Sequence, residues 1–148
     1  MMQDSLKTVL AAKGGEIHYV IPEATVLSAV EKMNQERIGA VLVCISGEMV
    51  GIFTERDVLC RVVGEGRDPA ATKVVDVMTS EVVAVRSTTS IEAAMAVISE
   101  RRFRHLPVVD DGELKGLVSS GDLTRRVSQD QEGHIQDLMN FITGKYPR

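Results

Sequence analysis

Apolar residues recur along the chain with two periods, and the periods come in a repeating order. A short apolar run at 17–21 gives way to Pro22-Glu23-Ala24-Thr25, turn chemistry that precedes a helix. Val26, Ala29, Val30 and Met33 then fall at i, i+3, i+4 and i+7, one face of an amphipathic helix. Two strand-like runs follow at 40–45 and 49–53, joined by Ser46-Gly47-Glu48, a hairpin signal. A second helix is predicted from about Thr54. The order then returns: a run at 82–86, the turn residues Ser87-Thr88-Thr89-Ser90, and the stripe Ile91, Ala94, Met95 and Ile98. Runs at 105–109 and 114–118 are joined by Asp110-Asp111-Gly112-Glu113, and a helix is predicted from about Ser119. Thr89 with Glu92 three residues on reads as a capping box at its helix start.

The two passages are copies. Residues 17–62 align with 82–127 at a constant offset of 65 and without a gap. Val20 matches Val85, Ala29 matches Ala94, Arg37 matches Arg102 and Val43 matches Val108. Gly47-Glu48 matches Gly112-Glu113, Gly51 matches Gly116 and Asp57 matches Asp122. The fold expected is α+β (α/β), two β-α-β-β-α repeats, each too small to fold well alone. The boundaries are a lead-in at 1–16, the first repeat at 17–63, a linker and lead-in at 64–81, the second repeat at 82–128 and a tail at 129–148. In the first lead-in, Asp4 is expected to cap a helix through Ala12 that Gly14-Gly15 stops. The second lead-in carries a helical turn at 74–78, and the tail a helix at 135–142.

Composition narrows the function. Seventeen Lys+Arg against 21 Asp+Glu leave a net charge of −4, unlike a protein that grips nucleic-acid polymers through phosphate. Aromatic residues make up 3 %, so the core is aliphatic and base-stacking platforms are scarce. No run approaches 18 apolar residues, and the N-terminus lacks the pattern of a signal peptide, so a cytoplasmic protein without a membrane span is expected. Cys44 and Cys60 sit among apolar residues and read as buried free thiols. His18, His105 and His134 share no metal-ligand spacing, and no metal site or catalytic group is expected. Met33, Met95 and Met139 read as core, Asp110-Asp111 as a turn, and His134 as exposed.

The chemistry concentrates in one motif that occurs twice. Gly51-Ile52-Phe53-Thr54-Glu55-Arg56-Asp57 and Gly116-Leu117-Val118-Ser119-Ser120-Gly121-Asp122 each run from an apolar strand into a helix. Thr54 and Ser119 can cap that helix, with Asp57 and Asp122 returning a bond from the third position. The same groups suit a nucleotide. Free N–H groups at a helix start favour phosphate, and a carboxylate can accept both hydroxyls of a ribose. The two uses are compatible. Arg101, Arg102, Arg104 and His105 add cations between a helix end and a strand, a place where cations are favoured in any case. Gly39-Ala40 stands at the positions of Arg104-His105 in the first copy, and Gly121 stands opposite Arg56, so two sites would differ.

The doubled unit with its Gly-h-h-[Thr/Ser]-x-x-Asp motif (h apolar) resembles the cystathionine-β-synthase (CBS) domain. Val77-Met78-Thr79 and Arg104-His105-Leu106-Pro107-Val108-Val109-Asp110 are also similar to that family. The resemblance implies a pseudo-two-fold tandem module with two clefts between the repeats. It implies adenosine ligands: AMP foremost, or ADP, ATP, NAD(H) or S-adenosylmethionine. One cleft would take Lys13, Ile17, His18, Arg104, Ser119 and Asp122. The other would take Thr54, Arg56, Asp57, Thr79, Val82, Val83 and His105, with adenine held between aliphatic side chains. Lys13 and Arg104 would make the Asp122 cleft the stronger for phosphate. The resemblance further implies a homodimer that reports to an unidentified effector protein, without catalysis. A partner-binding dimer module with vestigial clefts, and an enzyme acting on a nucleotide, are the alternatives.

Overall fold

Backbone conformation repeats at the same offset as the sequence. In a computed structural model describing residues 4–14 and 16–130, Arg37 and Arg102 both end a helix in the left-handed region, with φ of 58° and 63°. Ser46 and Asp111, each followed by a glycine also at positive φ, form the two hairpin turns. Both hairpins carry a ladder irregularity, between Val43 and Cys44 and between Val108 and Val109.

The elements are α1 (Leu6–Lys13), β1 (Tyr19–Val20), α2 (Val26–Glu36), β2 (Ala40–Ile45) and β3 (Glu48–Thr54), then α3 (Glu55–Asp57), which continues as wider π-helical turns at Val58–Val63. A 3₁₀ turn, Val74–Asp76, leads to α4 (Ile91–Arg101), β4 (His105–Asp110), β5 (Glu113–Ser119) and α5 (Ser120–Asp130). β1 runs parallel to β2, which pairs antiparallel with β3; β4 pairs antiparallel with β5.

The run at 82–86 does not form a regular strand. It makes one parallel bridge, Val85 with Val108. Pro107 supplies the reason. In the first repeat the Leu42 N–H donates to the His18 carbonyl at 3.1 Å, extending the ladder. Pro107 stands at the Leu42 position and has no N–H to give the corresponding Val83 carbonyl. The run at 17–21 is likewise shorter than expected, two residues long.

Neither repeat closes its own core. The cluster of Val26, Ala29, Met33, Val41, Val43, Phe53 and Val62 is completed by Val74 and Val77 from the lead-in of the second repeat. The cluster of Ile91, Ala94, Leu106, Val108, Val118 and Leu123 is completed by Leu6 and Val9 of α1, the lead-in of the first. Backbone bonds seal both exchanges: Val26 N to Thr72 O and Val74 N to Ala24 O on one side, Leu6 N to Thr89 O and Ile91 N to Asp4 O on the other. A third cluster, Ala40, Leu42, Cys44 and Ile52, packs against Ile17, Val82, Leu114 and Leu117 and joins the repeats.

Several local expectations are corrected. Ser5, not Asp4, caps α1, and the Asp4 carboxylate pairs with Arg126 at 2.7 Å. Ser90, not Thr89, caps α4; the Thr89 hydroxyl instead accepts from Arg86 N. Met95 is exposed, because the buried face of α4 is turned toward Val97. Cys44 is buried, and burial pushes its thiol pKa up, but Cys60 is exposed on the π-helical turns. His134, Met139 and the helix expected at 135–142 lie outside the described residues.

The two motif glycines mark where each lead-in presses on the other repeat. A Cβ on Gly51 would lie 2.6 Å from Met78 Sδ and 2.8 Å from the Thr79 carbonyl oxygen; one on Gly116 would lie 2.8 Å from Leu10 Cδ2. A side-chain end can yield, whereas the Thr79 carbonyl is fixed by its bridge to Ile52. Gly51→Ala should therefore destabilise by about 1–3 kcal/mol and Gly116→Ala by less. Urea unfolding of the two variants checks this, and equal midpoints would contradict it.

Candidate functional site

Both Gly-to-Asp motifs cap their helices reciprocally. Thr54 N–H donates to Asp57 Oδ2 at 3.0 Å, and Asp57 N–H donates to Thr54 Oγ1 at 3.3 Å. Ser119 N–H donates to Asp122 Oδ2 at 2.8 Å, and Asp122 N–H donates to Ser119 Oγ at 3.1 Å. Both aspartates are buried and stand at a helix start, and Asp57 lines a cavity. Each also accepts a bond from the lead-in of the other repeat. Thr79 Oγ1 donates to Asp57 Oδ1 at 3.1 Å, and Lys13 Nζ donates to Asp122 Oδ2 at 2.8 Å. The exchange of lead-ins thus puts both carboxylates between the repeats.

A cavity of about 950 Å³ opens beside Asp57. Its wall brings together Thr54, Arg56, Asp57, Thr79, Val82, Val83 and His105, all the residues expected of that cleft. It also holds residues not assigned to it from the sequence. Arg61 lies one helical turn past Asp57, its Nε 3.7 Å from Asp57 Oδ1 and its guanidinium bonded to the Met78 carbonyl at 2.8 Å. That i+4 spacing was the available signal. Arg101 and Arg102, expected as cations past a helix end, line the cavity too, and Phe103 beside them adds an aromatic residue to the aliphatic wall. Leu59, Cys60 and Arg61 line it in succession from the π-helical turns, a widened geometry common at functional sites.

The Asp122 side is built differently. Lys13, Ser119 and Asp122 are in direct contact, as expected, and Arg125 also bonds Asp122. A second cavity, about 490 Å³, is lined by Arg104, His105, Ser119, Arg37 and Glu55, without Lys13, Ile17, His18 or Asp122. Ile17 packs into the cluster between repeats, and His18 Nε2 stands 4.0 Å from Glu36. Arg104 lines both cavities rather than one. Arginines line both cavities, and more of them line the one beside Asp57. Five arginines, Arg61 of them paired with Asp57, line the Asp57 cavity with Glu55, Asp57 and Glu81, whereas the Asp122 carboxylate is met by Lys13 and Arg125.

Two titrating groups follow from this packing. Burial would push the Asp122 carboxyl up, but the Lys13 ammonium and the Ser119 N–H hold it below its ordinary value. Burial lowers the His105 pKa, and Lys13 and Arg104 work in the same direction against Glu55 and Asp122. Among the described residues no group of His, Cys, Asp and Glu is placed to hold a metal ion.

With its folded pKa lowered, His105 takes up its proton later than in the unfolded chain. Stability should therefore be full above the ordinary value of 6.5 and fall as pH drops below it, by at most about 1.4 kcal/mol per pH unit from this group. Unfolding at pH 7, 6 and 5 should show a shallower loss in His105→Gln than in the unchanged chain. Parallel losses would place the acid sensitivity elsewhere.

Comparison with known proteins agrees with this architecture. A model of the CBS domain matches residues 15–64 and 74–129. The chain is 35 % identical over 150 residues to the mitochondrial CBS domain-containing protein CBSX3 of Arabidopsis thaliana, covering 98 % of this chain and 73 % of that protein. It is 35 % identical over 108 residues to the CBS domain-containing protein YhcV of Bacillus subtilis, covering 73 % and 76 %. Its fold superposes on a putative signal-transduction protein with CBS domains from Burkholderia ambifaria with a TM-score of 0.83, at 39 % identity, over 86 % of this chain and 96 % of that one. A CBS-domain protein from Agrobacterium tumefaciens gives 0.78 at 33 % identity, over 82 % and 98 %. With the motif twice in place and the lead-ins exchanged, this chain belongs to the CBS-domain family and carries two copies of the domain.

Proposed function

We propose that the chain is a non-catalytic regulatory module that binds an adenosine nucleotide between its repeats, AMP foremost, and passes the bound state to a partner protein. One observation carries the reading: a single cavity joins the three kinds of surface a nucleotide needs. Asp57, beside Thr54 and Thr79, is a carboxylate acceptor for ribose hydroxyls. Ile52, Val82 and Val83, with Phe103, offer an apolar slot for a purine. The arginines supply charge-assisted bonds to phosphate, concentrated locally on a chain whose net charge is −4.

Binding requires little rearrangement at Asp57. The ribose diol replaces the Thr79 hydroxyl and the long Thr54 hydroxyl contact at 3.3 Å, while the Thr54 N–H bond persists. Burial lowers the His105 pKa, and an arriving phosphate would work against that shift and favour the protonated ring. The chain is further read as a homodimer, with exposed Leu59, Val63 and Ile21 as apolar surface for a second copy, acting in the cytoplasm.

A thermal-shift panel of AMP, ADP, ATP, NADH and S-adenosylmethionine tests the reading. A ligand at 100 times its dissociation constant should stabilise by about 2.7 kcal/mol. Asp57→Asn should weaken that ligand about 10- to 150-fold. Light scattering of the same sample should give twice the mass of one chain. Silence across the panel would leave the clefts vestigial. A second measurement isolates the phosphate. Arg104→Ala should weaken AMP more than adenosine, and added salt should shrink the difference. Equal weakening of both ligands would make Arg104 a wall residue.

A further inference from the structure

The two motif carboxylates occupy equivalent places but meet different donors. In the first repeat Thr79 performs two tasks. Its N–H donates to the Ile52 carbonyl at 2.9 Å, and its hydroxyl donates to Asp57 Oδ1 at 3.1 Å. At the offset of 65, the position of Thr79 in the other lead-in is Gly14, which has no side chain. Lys13 takes over both tasks. Its ammonium donates to the carbonyl of Leu117, the counterpart of Ile52, at 2.6 Å, and to Asp122 Oδ2 at 2.8 Å. The rest of that carboxylate is also engaged, Oδ2 by Ser119 N–H and Oδ1 by Arg125.

A ribose approaching Asp57 meets a hydroxyl that can rotate and either donate or accept, with the nearest cation, Arg61, farther off at 3.7 Å. One approaching Asp122 meets an ammonium that can donate and never accept, already bonded twice. We infer that Lys13 is a built-in occupant of the Asp122 carboxylate, so that the chain takes one adenosine-type ligand, at Asp57, and holds the second cleft closed. The inference rests on the reading of these carboxylates as ribose acceptors. Lys13 ends α1, whose Leu6 and Val9 are fixed in the core of the second repeat, so the ammonium is delivered to Asp122 by the exchange of lead-ins. Displacing a charge-assisted bond of this kind separates the two clefts by about 10- to 150-fold in affinity.

Calorimetric titration with adenosine tests this, because adenosine has no phosphate for the lysine to follow. The unchanged chain should take up one adenosine per chain. Lys13→Met and Lys13→Gln should each take up two, and adding Asp122→Asn to either should abolish the second. Carbon NMR of the carboxyl groups gives a reading without any substitution: adenosine should move the Asp57 resonance at concentrations that leave Asp122 in place. Two equal sites in the unchanged chain, one site in both Lys13 variants, or the two resonances moving together would overturn the inference and leave the cleft reading standing. Absence of binding to every protein would overturn both.

Discussion

The structure depends on an exchange. The segment that precedes each repeat finishes the core of the other, Leu6 and Val9 in the second, Val74 and Val77 in the first. A repeat of this size buries too little apolar surface to hold alone, and the exchange lets each borrow what it lacks. The consequence for chemistry is geometric. A lead-in that crosses to the other repeat must pass over the strand that ends in the Gly-to-Asp motif. Gly51 and Gly116 stand where it passes, with no room for a Cβ. The side chain at the end of the crossing, Thr79 or Lys13, then falls on the carboxylate. The site between the repeats follows from how the repeats are stabilised.

The symmetry of the two repeats is not complete, and single residues break it. Pro107 removes the N–H that Leu42 gives in the first repeat, which frees the 82–83 backbone from the ladder and leaves it lining the larger cavity. Arg104 and His105 stand where Gly39 and Ala40 cannot contribute charge. The helix after Asp57 widens into π-helical turns and turns three consecutive side chains to the cavity, while the helix after Asp122 is a regular α-helix. Arg104 and His105 serve both cavities, while the freed 82–83 backbone and the widened helix line the larger one beside Asp57.

Much of this was legible in the sequence, for physical reasons that differ by element. The repeat was visible because turns, caps and glycines are held to their positions by backbone conformation. Ser46-Gly47 and Asp111-Gly112 need positive φ, and they keep the offset. The capping boxes were visible because a hydroxyl three residues before a carboxylate has one local use that precedes any ligand. The residues expected of the larger cleft came from the resemblance to the CBS domain, and that set lacked Arg61, Arg101, Arg102 and Phe103, which also line the cavity. The exchange of lead-ins was not legible as packing, since periodicity does not say which repeat an apolar face will cover. Nor was the fate of Cys60, whose exposure depends on the π-helical winding, or the capture of Asp122 by Lys13, which is a contact across 109 residues.

The charge distribution completes the argument about selectivity. An acidic chain repels polyanions at long range, and screening limits that repulsion to roughly 8 Å in physiological salt. The cavity wall, by contrast, carries five arginines, and Arg61 Nε stands 3.7 Å from the Asp57 carboxylate, which is tied by its own helix start. A small anion that fits the cavity experiences the local cations, whereas an extended nucleic acid must also cross the acidic surface and finds few aromatic faces on which to stack. The carboxylate rejects a bare phosphate that arrives without hydroxyls to donate to it. On the proposed reading, a ligand that carries both a diol and an anion, as a nucleoside phosphate does, would answer both the carboxylate and the arginines. The aliphatic walls then need only exclude water from the third, apolar part. On the proposed reading, these separate demands would let a chain with 3 % aromatic residues select a purine nucleotide without stacking as the main attraction.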